Sequence, residues 1–178
     1  MFKSTLALVA MVSALVLAGT ASASSVHLKG GKNAAPAFTD NGLTLTASGE
    51  LAGLGNADVL ITVTATANPT ATCANPSGAN QPAGQNPAPV TVTGSVSIPA
   101  SEIKNGSTPF SVWTQAPTSP IPGAPDCPNP RWSEQITDMA FTSATIQVEQ
   151  FGVVVLAVSC TFSPPTSNGP VPLANVSC

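Results

Sequence analysis

Apolar and polar residues alternate with period two through most of the chain after residue 36, and helical spacing is nearly absent. Leu43, Leu45 and Ala47 alternate with Thr44, Thr46 and Ser48, and Val59, Ile61, Val63 and Ala65 with Leu60, Thr62, Thr64 and Thr66. Val90 and Val92 continue through Gly94 to Val96 and Ile98, and Phe110 and Val112 flank Ser111. Ala144, Ile146 and Val148 alternate with Thr145, Gln147 and Glu149. Each run predicts a strand with one face buried, and threonine on the solvent side suits a pleated surface. The stretch 153–162 is apolar on both parities, the pattern of a strand covered on both faces.

The connections fit the same reading. Asp40-Asn41-Gly42 is a tight-turn signal after Phe38, and Gln150-Phe151-Gly152 joins two strong strand patterns into a hairpin over 140–162. Two segments, 68–89 and 116–130, are rich in Pro, Asn and Gly and are expected to be long ordered loops or polyproline-like excursions. Six to eight short strands joined in this way predict an all-β fold. The expected form is a single two-sheet sandwich of immunoglobulin-like or related topology, with a closed barrel as the rival.

Both ends of the chain differ in pattern. Lys3 precedes an uncharged, mostly apolar run over 4–19, followed by Ala21-Ser22-Ala23. This is the plan of a secretory signal peptide occupying 1–23, short for a membrane anchor. Residues 24–36 form a polar, small-residue lead-in, 37–162 the sandwich, and 163–178 a Pro-rich C-terminal tail pinned by Cys178. The expected localisation is extracellular, with no membrane insertion once the signal is removed.

Composition narrows the function classes. Only 7% of the residues are charged and the net charge is −3. Clustered Lys and Arg are missing, which excludes a nucleic-acid partner. A hydrophobic content of 43% excludes a charge-swollen disordered chain. Cys73, Cys127, Cys160 and Cys178 are an even set with wide spacing, unlike the close pairs of a structural zinc site, and read as two disulfides. Of the three connectivities we prefer Cys73–Cys127 and Cys160–Cys178, which tie the two long loops together and a strand end to the tail. On the chain-entropy model these closures contribute about 4 and about 3 kcal/mol.

Three segments resemble a family of small secreted proteins, mostly bacterial, with no assigned activity. They are GLTLTASGELAGLGNADVLITVTATA from Gly42, NPAPVTVTGSVSIPASEIKNG from Asn86, and APTSPIPGAPDCPNPRWSEQITDMAFTSATIQVEQ from Ala116. The likeness spans roughly 39–156, and its most specific part is the proline-cysteine stretch before Trp132. It implies secretion and a sandwich, and it favours pairing Cys73 with Cys127; it supplies no mechanism.

Candidate chemistry is sparse. The lone His27 lies in the lead-in, so a nucleophile would lack the usual base. Glu134 and Asp138 are the carboxylates nearest Trp132, and in an extended strand they are roughly 13 Å apart, beyond the range for glycoside cleavage. Asp40 and Asp58 read as turn and capping residues, and no calcium-loop pattern appears. Asn105 and Asn175 head glycosylation triplets, the first equally a plain Asn-Gly turn. Trp113 is expected in the core beside Phe110 and Val112. Trp132, next to Arg131, is either core beneath the tied loops or an aromatic contact platform at their rim.

The leading expectation is a non-enzymatic secreted sandwich without cofactor or metal. It would act by surface contact, with Arg131 and Trp132 as candidate contact residues and a cell-envelope or extracellular polysaccharide or protein as partner. The alternatives are a polysaccharide hydrolase using carboxylates near Trp132, and a secreted inhibitor using a Pro-rich loop as bait.

Overall fold

A computed structural model describes residues 25–31, 34–77, 88–118, 127 and 131–178. The expected signal peptide, and most of the second Pro-rich segment, lie outside the described residues. The protein is all-β, built from two antiparallel sheets consistent with a two-sheet sandwich. The strands are β1 (His27–Leu28), β2 (Ala37–Asp40), β3 (Leu45–Ala52), β4 (Val59–Ala74), β5 (Val90–Ile98), β6 (Ser107–Trp113), β7 (Ser133–Gln150), β8 (Val153–Phe162), β9 (Gly169–Pro170) and β10 (Val176–Ser177).

In the first sheet β3 pairs with β6 along one side, and with β1 and β2 in succession along the other; β9 pairs with the outer edge of β2. The second sheet runs β10-β8-β7-β4-β5. The predicted hairpins are both present. Asn41 N donates to Thr44 O at 2.9 Å to close β2 onto β3. Phe151 and Gly152, at φ +54° and +74°, turn β7 into β8. Two residues at positive φ are what a two-residue hairpin loop with the strands' own twist requires.

The apolar parity of each strand meets in one core. Leu45, Ala47 and Leu51 of β3 and Val112 of β6 face Ile61, Val63, Phe141 and Ile146 of the second sheet, all essentially without exposure. Phe38 and Phe162 join the sheets edge to face, with ring centroids 5.0 Å apart. Along the β5/β6 side the sheets touch through backbone: Gln115 N donates to Thr93 O at 3.1 Å.

Three expectations need correction. The segment from Asn68 is not loop at its start, because β4 runs on to Ala74 with Pro69 inside it. Since β5 begins at Val90 opposite Ala67, among the described residues nothing pairs with that side of β4 beyond Ala67, where a residue without an N–H is tolerated. The lead-in is not loose throughout: His27–Leu28 pairs with Leu51–Ala52, and Val26 and Leu28 are buried. Finally, 163–178 is no appendage. It crosses from β8 to β2 as β9 and returns to β8 as β10.

That crossing is held by a buried polar relay. Thr166 Oγ1 donates to Asp40 Oδ2 at 2.5 Å and accepts from Phe141 N at 2.9 Å, while Thr166 N donates to Phe141 O. Asp40 Oδ1 accepts Gly42 N at 2.9 Å. Asp40 is 2% exposed, so each oxygen needs such a donor to offset its desolvation. Phe162 and Thr161 pair with Val176 and Ser177, which sets Cys160 opposite Cys178.

Candidate contact surfaces

Both preferred disulfides form: Cys73–Cys127 with Cα atoms 5.7 Å apart, and Cys160–Cys178 at 4.0 Å. Cys73 pairs across the sheet with Glu134, so the first bridge sits at the start of β7, next to Arg131 and Trp132. Arg131 is exposed and Trp132 half-buried. The Trp132 ring is therefore neither sealed in the core nor standing free as a platform.

The chemistry-bearing side chains stay apart. Glu134 and Asp138 lie in one continuous strand, opposite Cys73 and Thr70. A bulge at Thr137 shifts the register between those pairs, and partners three apart on β4 put the two carboxylates on opposite faces. His27 is exposed as expected but sits in a paired strand, its Nδ1 2.6 Å from Ser25 O. Asp58 Oδ1 accepts Ala100 N at 2.8 Å, a capping role. Asn105 and Gly106, at φ +52° and +72°, form the tight turn between Lys104 and Ser107. Glu50 receives Lys29 Nζ at 2.6 Å and the Ser107 hydroxyl at 3.0 Å. The Lys29 hydrogen bond, then that of Ser107, holds its carboxyl below the ordinary range. Among the described residues no three His, Cys, Asp or Glu side chains are placed to hold a metal ion, and no helix is long and apolar enough to cross a membrane.

The exposed apolar surface lies elsewhere. β8 was expected to be covered on both faces, yet Val153 is 62% and Val154 47% exposed. The reason is its place in the sheet. β7 pairs with one side of β8, but on the other β10 reaches only Thr161 and Phe162. Among the described residues nothing pairs with Val153–Ser159 on that outer edge. A bulge between Val148 and Glu149 also displaces the start of β8. Phe151 stands beside this edge at the hairpin tip, 69% exposed, and Leu60 of β4 lies in the cross-strand row of Glu149 and Val154. A bulky residue at positive φ is a strained choice where Gly or Asn would serve.

Beneath the free edge, an open groove of about 470 Å³ separates the sheets. It is lined by His27, Leu28, Gly31 and Ala34 on one side and Leu156, Val158 and Cys178 on the other. Inward-facing side chains of an added strand would enter this space.

Trp113 also departs from expectation: it is 61% exposed. Phe110 and Val112 point inward, so Trp113 shares the outward parity of Ser111. The chain's own alternation carries that signal, whereas neighbourhood in sequence to Phe110 and Val112 does not.

No protein-family model matches the chain, and comparison with characterised proteins and with solved structures finds no match. The functional reading therefore rests on the surfaces themselves.

Proposed function

We propose that the protein is a secreted, non-enzymatic contact module that works at the cell envelope or in the extracellular matrix. Two disulfides fit an oxidising compartment. The observation that carries the reading is β8: an apolar strand whose outer edge over Val153–Ser159 pairs with nothing among the described residues, with Val153 and Val154 exposed and Phe151 held out at positive φ. Isolated edges of high β-propensity are an aggregation hazard that folds usually blunt with Lys, Pro or a covering loop. Leaving one apolar and pairing-competent is useful to a protein that receives an extended segment of a partner, with main-chain bonds for affinity and the groove for side chains.

The test is a pull-down of the purified, disulfide-bonded protein on envelope and matrix fractions of its own cells. The F151S/V153T/V154T variant keeps β-branched residues on the strand and touches no buried side chain. It is expected to fold normally and to retain less than a tenth of the captured material. Undiminished capture by the triple variant would refute the assignment to β8, and no capture by the parent protein would refute the contact function itself.

A further inference from the structure

We infer that the outer face of the first sheet, centred on Trp113, is a binding platform for neutral polysaccharide. This site lies on a different face from β8 and stands without the reading given above. The rows of that face follow from the strand register. Thr39, Thr46 and Trp113 are opposite one another on β2, β3 and β6, and Ala37, Ser48 and Ser111 form the next row. Cross-strand neighbours are about 4.8 Å apart, so a Trp with hydroxyls beside and diagonal to it covers an area of sugar-ring size.

The chemistry selects the ligand. An indole face exposed among aliphatic hydroxyls offers stacking for the C–H face of a pyranose, and hydroxyls that both donate and accept surround it. Asn41 Nδ2 donates to Thr46 Oγ1 at 2.9 Å. The Thr46 hydroxyl proton is thereby free to donate outward, and the Asn41 Oδ1 is left to accept. No formal charge occupies the two rows. Glu50, one row further along β3, is neutralised by Lys29 at 2.6 Å. A face that is aromatic, hydroxylated and uncharged complements an uncharged polyol and gives no preference to an anionic or cationic ligand.

The platform is rigid before any ligand arrives. Val112 and Thr114 on either side of Trp113 are 1% and 0% exposed. Thr114 N donates to Leu45 O at 2.9 Å and Thr114 Oγ1 accepts Leu45 N at 3.0 Å. From the other sheet Gly94 approaches so closely that a Cβ there would fall 1.8 Å from the Trp113 carbonyl oxygen. The backbone under the ring is therefore clamped by both sheets. Binding orders little beyond the side chain itself, which is how a shallow site reaches useful affinity.

The experiment is a titration of the purified protein with cellohexaose, xylohexaose and mannohexaose, followed by intrinsic tryptophan fluorescence and by calorimetry, with polygalacturonate as the charged comparison. At least one neutral hexasaccharide is expected to bind and perturb the emission. W113A should weaken it at least tenfold and T46V severalfold, while far-UV circular dichroism and the melting temperature stay at the parent values because both side chains project from the outer face. W132F should bind as the parent does. Binding that survives W113A, failure of all three neutral probes, or equal binding of polygalacturonate would overturn the proposal. The F151S/V153T/V154T variant should bind the sugars unchanged, so failure here and failure of the β8 reading are separate results.

Discussion

The sharpest energetic consequence of the fold concerns Thr166. Its hydroxyl donates to a buried carboxylate oxygen of Asp40 and accepts the Phe141 amide at 2.9 Å, joining both sheets to the crossing segment. Replacing it by valine keeps shape and volume but removes both bonds. The bond to the carboxylate is charge-assisted, a class that contributes about 1.5–3 kcal/mol, and the amide bond contributes about 0.5–1.5 kcal/mol. Thr166 is only 7% exposed, so water does not readily replace the lost partner. The expected loss for T166V is therefore about 2–4 kcal/mol, equivalent to a fall of roughly 5–15 °C in melting temperature for a domain of this size. Urea unfolding with the disulfides intact measures it directly. T161V is the control: Thr161 is exposed, its hydroxyl is a long 3.5 Å from Ser177 O, and its loss should cost less than about 0.5 kcal/mol. A double-mutant cycle with D40N should give a coupling of at least about 1 kcal/mol. A T166V protein within about 0.5 kcal/mol of the parent, or additive losses in the cycle, would refute the claim that this relay holds the crossing in place.

Three further outcomes are expected. Glu50 has its carboxyl lowered by Lys29 and Ser107, so its ionised form stabilises the fold above its ordinary value near 4.5, and that contribution fades as the pH falls through the folded-state value. Thermal melts of E50Q should accordingly fall below the parent at pH 7 and converge with it as the pH falls below the lowered folded-state value of Glu50, and 1 M salt should narrow the gap at pH 7. G94A places a methyl group against the Trp113 carbonyl on a strand clamped from both sides, so it should cost about 3 kcal/mol or more, read as a collapsed yield or a large drop in melting temperature. F151G removes a side chain from a left-handed position at φ +54° and should raise stability by up to about 1 kcal/mol while lowering envelope capture, a pairing of effects that a purely structural Phe151 would not give.

Fold class was legible because period-two alternation is a direct imprint of one buried sheet face. Val59 to Ala65 and Ala144 to Val148 took the inward and outward places their parity dictates. What misled was reading residues by kind rather than by position. Pro69 suggested loop because proline cannot pair on both sides, but among the described residues no strand pairs with its free side, β5 starting opposite Ala67. The apolar run from Val153 matched a doubly covered strand, and nothing in its composition distinguishes that from an edge left open. The tail's two visits to the sheets rest on Thr166, Gly169 and Val176, single contacts too short to leave a period. The Trp132 region stays intermediate, half-buried beside the first disulfide, and the more exposed indole is the one whose parity argued for it.

β4 and β7 pair along almost their whole length, and each residue of β4 finds its partner more than fifty positions further along the chain. Such pairing closes large loops before any reward is collected, so the search for it is slow and resists seeding by short-range hairpins. As the polypeptide is synthesised, β4 can pair early with β5 along Val59–Ala67, but its other edge waits until β7 has been made. The second sheet should therefore be completed late, with a refolding time dominated by the meeting of these two ribbons.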